Sequence, residues 1–173
     1  MSITIPDAPG IDAAGNVKTA FVLAIADPSA PTLAEITAGS EITCALYGFE
    51  ASVDQPVTTR AKRCYRQPVQ SPGRAAYSIA PIEYDYDPQL PASEDYVYAD
   101  LTPGVHGYIV DRLGKDKEEA WAAGDIVVVY PVTLGERVDV PIDATSTDSQ
   151  KLRVSQTIFV RGDVLRDIAL VAA

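Results

Sequence analysis

Histidine is almost missing from this sequence: His106 is the single imidazole in 173 residues. Cysteine occurs twice, at Cys44 and Cys64, with no CxxC spacing, so no zinc site of ordinary ligand spacing is available. No GxSxG, HExxH, Walker or GxGxxG pattern occurs, which removes the common hydrolase, metalloprotease and nucleotide-binding readings. His106 follows Pro103-Gly104 and reads as a turn histidine at a strand entry, with no partner that would make it a general base. Apolar runs stay well short of the roughly 20 residues that cross a bilayer. The opening Met1-Ser2-Ile3-Thr4-Ile5-Pro6 has neither the basic start nor the apolar stretch of a secretory signal, so a cytoplasmic product with no membrane partner is expected. In that compartment the two cysteines are expected to be reduced and largely buried.

Charge is plentiful, and it is segregated. The chain carries 24 acidic and 14 basic residues, a net −10 that repels nucleic acid. Between residues 55 and 75 lie Arg60, Lys62, Arg63, Arg66 and Arg74 without one acid. Between residues 83 and 100 lie Glu83, Asp85, Asp87, Glu94, Asp95 and Asp100 without one base. Opposed segments on one small chain suit head-to-tail contact between copies, the basic group touching a neighbour and the acidic group forming a solvated surface or the lining of a lumen. The acidic pairs Asp85/Asp87 and Glu118/Glu119 lack the ligand density and glycine of a calcium loop. Tyrosines interleaved with acids fit packing better than nucleic-acid stacking. No catalytic, cofactor or metal residue is assigned.

The chain is predicted to be mainly β, an antiparallel β-sandwich or barrel with one short α-helix, an N-terminal arm and a long extended loop or hairpin. An arm over 1–18 precedes a single domain over 19–173, with the excursion at 48–76 and the main helix at 92–102. Strands are expected over 19–26, 41–47, 77–86, 105–112 and 125–132. Residues 134–142 are expected to pair back on 125–132 across Gly135, and residues 151–171 to form a closing hairpin around Gly162-Asp163. Thr32 and Glu35 have capping-box spacing ahead of Gly39, which predicts a helical turn or two there. Ser93 is the expected cap of the main helix, residues 116–123 are expected to turn helically, and Pro81 marks an edge or a bulge.

Several stretches, taken in order, resemble the major tail tube proteins of long-tailed phages of actinobacteria. These are ADPSAPTLAEITAGSEIT at 26–43, YDYDPQ at 84–89, LTPG at 101–104, GYIV at 107–110, VYPV at 129–132 and DIALV at 167–171. The resemblance spans about residues 20–173. It implies a structural subunit that assembles with itself into stacked hexameric rings around a channel for DNA, without cofactor or catalytic residues. It implies tail terminator, tape measure and tail tip proteins as further partners, with the virion as the final location and the host cytoplasm as the place of assembly. The stretch 60–74 is richer in base and proline than that family leads one to expect, so its contacts do not carry over. A tail terminator or joining ring of the same fold is an alternative; a carbohydrate-binding sandwich is a remoter one, since Trp121 is the lone tryptophan.

Overall fold

Short runs of branched residues, each cut by Pro, Gly or Asp, become ten strands and two five-residue helices among the described residues. The computed structural model describes residues 10–142, 145 and 151–172, so half of the expected N-terminal arm lies outside the described residues. In chain order the elements are β1 (Val17–Val22), α1 (Leu33–Thr37), β2 (Ser40–Glu41), β3 (Ala51–Asp54), β4 (Val57–Arg60), β5 (Val69–Pro72), β6 (Ala76–Asp85), α2 (Tyr96–Asp100), β7 (His106–Leu113), β8 (Ile126–Asp139), β9 (Arg153–Val160) and β10 (Leu165–Ala169). Among the described residues the fold is mainly β, with 44% in strands and no closed barrel, so the barrel form of the expectation is set aside. Two short helices form, one at the capping box and one within 92–102. By contact the chain divides into one unit of Met1–Thr43, Tyr108–Tyr130 and Leu165–Ala173, and another of Cys44–Gly107 and Pro131–Val164.

In the first unit the strand order is β2-β1-β7-β8, with β10 antiparallel to the start of β8. The two-residue period of a strand puts Ala20 and Val22, Val110, and Val127 and Val129 on one face. They are buried there with Ile25, Ile36 and Leu170. Each such aliphatic side chain contributes about 1.5–3 kcal/mol. Ile36 reaches this core because α1 starts where the capping box dictates. The Thr32 hydroxyl accepts from Glu35 N–H at 3.3 Å, and the Glu35 carboxylate accepts from Thr32 N–H at 2.9 Å. The other Glu35 oxygen accepts from Ala26 N–H, and these backbone donors, Ala26 first, hold its carboxyl below the usual range. Gly39 then lets the chain pass against β1: a Cβ there would lie 2.7 Å from the Phe21 carbonyl oxygen.

The same alternation delivers two cations to the core side of this sheet, Lys18 on β1 and Arg112 on β7. Buried charge needs partners. Arg112, 1% exposed, donates to Asp125 Oδ2 at 2.8 Å and to the carbonyls of Asp116, Glu119 and Ala120 at 2.8–3.0 Å. Lys18 Nζ donates to the carbonyls of Lys117 and Glu119 at 2.9 and 3.2 Å. Trp121 lies against both, its ring centroid 5.1 Å from the Arg112 guanidinium carbon and 6.0 Å from Lys18 Nζ. This corrects the helical turn expected at 116–123. The carbonyls that a helix would use internally are bound by side chains from the strands, and the segment is a loop.

In the second unit the order is β8-β9-β6-β3, with β4 and β5 forming a separate hairpin. Residues 134–139 do not fold back across Gly135; they continue β8, which pairs with β9. Nor do β9 and β10 close on each other as a hairpin. β9 pairs with β6 and the later part of β8, while β10 pairs with the earlier part of β8. Pro81 does mark a bulge. Ile79 and Ile82, three apart, face Ile158 and Gln156, two apart, so both isoleucines are buried on one side. β8 bulges against the same place, Leu134 and Arg137 facing Ile158 and Gln156.

Candidate assembly surface

The basic residues singled out by the sequence lie on or beside the β4–β5 hairpin. Arg60 ends β4 opposite Val69, and Lys62, Arg63 and Arg66 occupy the connecting tip. Arg74 follows just after β5. All five are exposed, as is every residue of β3, β4 and β5. At the base, Gly73 N–H donates to the Pro56 carbonyl at 2.7 Å and Gln55 donates to the Gly73 carbonyl. Near the tip, Lys62 Nζ sits 5.9 Å from the Tyr65 ring centroid. An isolated two-stranded hairpin is marginal in water. This one buries neither of its faces, although it carries Val57, Tyr65 and Val69, each more than 40% exposed.

The acidic residues sit at the far end of β6 and in the segment leading to α2. Glu83 pairs with Arg153 at 3.2 Å. Asp85 accepts the Tyr47 hydroxyl at 2.6 Å and pairs with Lys151 at 3.1 Å. Those bonds push the Tyr47 phenol and the Lys151 ammonium above their ordinary values, the hydrogen bond to Asp85 being the main cause in each. Asp87 accepts from Gln89 N–H, and Glu94 is exposed. Asp95 is chiefly a capping residue: it accepts from Tyr98 N–H at 3.2 Å and from Asp87 N–H at 2.8 Å. It takes the capping role expected of Ser93, because its carboxylate reaches both donors. Asp85, Asp87, Glu94 and Asp95 border a groove of about 410 Å³ walled by Tyr86, Leu90 and Leu152.

Behind that groove the segment is pinned by contacts that residue types alone did not flag. Gln156, fully buried, accepts the Tyr84 hydroxyl at 2.9 Å and donates to the carbonyls of Leu101 and Gly135 at 2.8 and 2.9 Å. Burial raises the Tyr84 phenol to about 12, so it remains a donor. Gly135 is required here, since a Cβ would lie 2.9 Å from the Thr157 carbonyl oxygen. Arg137 stacks 4.0 Å over the Tyr98 ring, and Tyr98 stacks on Tyr86 with centroids 5.1 Å apart. Strict alternation of Val154, Gln156 and Ile158 was the available signal that Gln156 faces inward.

Cys44 and Cys64 are both exposed and unbridged, which corrects the expectation of buried thiols. Each falls in a connection rather than on an alternating strand, so nothing drives it inward. His106 is exposed and its Nδ1 lies 3.0 Å from the Thr133 hydroxyl. Among the described residues no three His, Cys, Asp or Glu side chains are grouped to hold a metal ion, and no helix is long and apolar enough to cross a membrane.

A family model described as phage tail tube protein matches residues 5–173. The chain belongs to the phage tail tube protein family. It is therefore a structural component of the phage tail and of the virion. Two solved structures are similar to this tail tube protein in fold. One is a chain of the anti-feeding prophage baseplate, 6-fold symmetrised, with a TM-score of 0.51 and 11% identity, covering 93% of this chain and 98% of that one. The other is a chain of the anti-feeding prophage cap, the tube terminating cap, with a TM-score of 0.51 and 12% identity, covering 96% and 99%. No curated protein matches the chain.

Proposed function

We propose that this tail tube protein is a non-enzymatic subunit that assembles with itself into stacked hexameric rings, forming the conduit of a long, non-contractile tail through which DNA is ejected. The observation that carries this reading is the 51–76 excursion, whose three strands are exposed at every position. Ordered alone, such a segment gains strand pairing but little apolar burial, and it gains that burial and further backbone pairing when another copy covers it. Six copies together carry 6 × −10, or −60. DNA carries about one negative charge per 1.7 Å, so an acidic wall repels it and leaves it free to slide. Tail terminator, tape measure and tail tip proteins are the expected neighbours at the ends and inside.

Electron microscopy of the purified protein at high concentration tests this. Tubes or stacked rings are the expected result, and a chain that stays monomeric even beside its tail partners overturns it. A second reading, a terminating ring, is favoured by the likeness to the anti-feeding prophage cap. Copy number in the particle separates them: many rings for a tube subunit, one for a terminator.

A further inference from the structure

The groove and the hairpin tip described above are matched in charge, in polarity and in the placement of the two cysteines. The groove has apolar walls, Tyr86, Leu90 and Leu152, under a rim of four carboxylates. Among the described lining residues Lys151 is the one cation, leaving that rim at −4 + 1, or −3. The tip has Tyr65 among Arg60, Lys62, Arg63 and Arg66, a charge of +4 with no acid between residues 55 and 75. Both are in the unit Cys44–Gly107 with Pro131–Val164, and the tip is exposed at every residue. Cys64 lies in the tip, between Arg63 and Tyr65. Cys44 lies in the adjoining hollow, which shares Asp85, Glu94 and Asp95 with the groove.

We infer that the groove is the receptor for the 60–66 tip of another copy of this chain, the guanidinium and ammonium groups meeting the rim and Tyr65 covering Leu90 and Leu152. The inference rests on the self-assembly reading and names the two surfaces that meet. The contact joins unlike patches, so each copy offers one tip and one groove, and placed between stacked rings it leaves a free tip or groove at each end for the next ring. Aromatic area with surrounding cations is the composition that contributes most at interfaces between proteins. Opposed exposed charges are screened beyond about 8 Å at physiological salt, so the contact weakens as salt rises. In the seated position Cys64 of one copy comes beside Cys44 of the next.

The test uses assembled full-length protein, checked for tubes by electron microscopy, then treated with a short bis-maleimide or with diamide. Each maleimide alkylates one thiol; with diamide, two thiols lose two protons and two electrons to the reagent and join as a disulfide. A denaturing gel is expected to show a ladder of covalent multimers. Cys44→Ser or Cys64→Ser alone should abolish the ladder, and an equal mixture of the two variants should stop at dimers. Separately, Arg60→Glu with Lys62→Glu and Arg63→Glu should raise the concentration needed for tubes at least tenfold, as should Asp87→Lys with Glu94→Lys. Combining both sets should restore assembly. Tubes without a Cys44–Cys64 product, dimers that persist in the Cys44→Ser variant, or a combined variant no better than its parents would each overturn the inference while leaving the tube reading intact. A wild-type chain that forms no tubes overturns both.

Discussion

The first unit and the β3–β5 excursion handle burial in opposite ways. The unit around β1, β7 and β8 encloses its aliphatic side chains and surrounds its two inward cations with carbonyls and a carboxylate. The excursion buries no side chain while keeping regular strand pairing. Intramolecular side-chain burial therefore accounts for the former alone, while strand pairing is what the excursion has within the chain. Substitutions in the two regions should separate stability from assembly, each region affecting the one and sparing the other.

Arg112→Met should have the largest effect. It leaves Asp125 buried with Lys115 as its remaining cation and strips the Asp116 and Ala120 carbonyls of this donor, at about 3–5 kcal/mol in denaturant unfolding. pH sharpens the same point. Burial pushes the Asp125 carboxyl up, but hydrogen bonds from Lys115, Arg112 and Ala122 N–H outweigh that and hold it below its ordinary value. Its stabilisation is therefore complete above the unfolded value of about 3.9 and lost as pH falls below it. Asp111, pushed up by burial despite the Thr19 hydroxyl, acts in the opposite sense just above that pH. Comparing wild type with Arg112→Met across pH 3–6 isolates the Asp125 contribution, whose loss should flatten the acid limb.

Gln156→Leu comes next. Leu101 and Gly135 carbonyls and the Tyr84 hydroxyl lose their partner, so unfolding should become easier by about 2–4 kcal/mol. Thr32→Ala removes one half of the capping box and should cost about 1 kcal/mol, read as a lowered melting temperature. Smallest is the pair Val57→Ser and Val69→Ser on the hairpin, expected within about 0.5 kcal/mol of wild type in monomer stability. The same pair should reduce tube yield in micrographs. A large loss of monomer stability from that pair would show that the excursion is held within the chain and would remove the contrast.

Local chemistry was readable from sequence wherever it is settled by neighbours a few residues away. The Thr32–Glu35 box, the Pro81 bulge and the mainly antiparallel β class are of this kind. Pairing partners were not, because strand choice depends on distant surfaces. Gly135 reads as a turn, yet β8 continues through it with only a bulge, since Gln156 secures its carbonyl and Phe159 crosses the space a side chain would fill. Gly162-Asp163 reads likewise as a hairpin turn, but β9 and β10 take separate stretches of β8. Of the candidate site, the basic and acidic segments were visible as charge runs. The apolar walls of the groove were not, because Leu152 approaches Tyr86 and Leu90 from sixty residues away.

Lys18 and Arg112 take hold of the 116–120 segment by its main-chain oxygens, which every amino acid possesses. The path of the chain there is accordingly indifferent to what Glu118, Glu119 and Ala120 project into solvent. Glu118, Glu119 and Ala120 can be recoded, tagged or chemically decorated while the trace stays the same, a display site whose frame is supplied by the sheet beneath it and by Asp116, whose carboxylate accepts from Glu118 N–H.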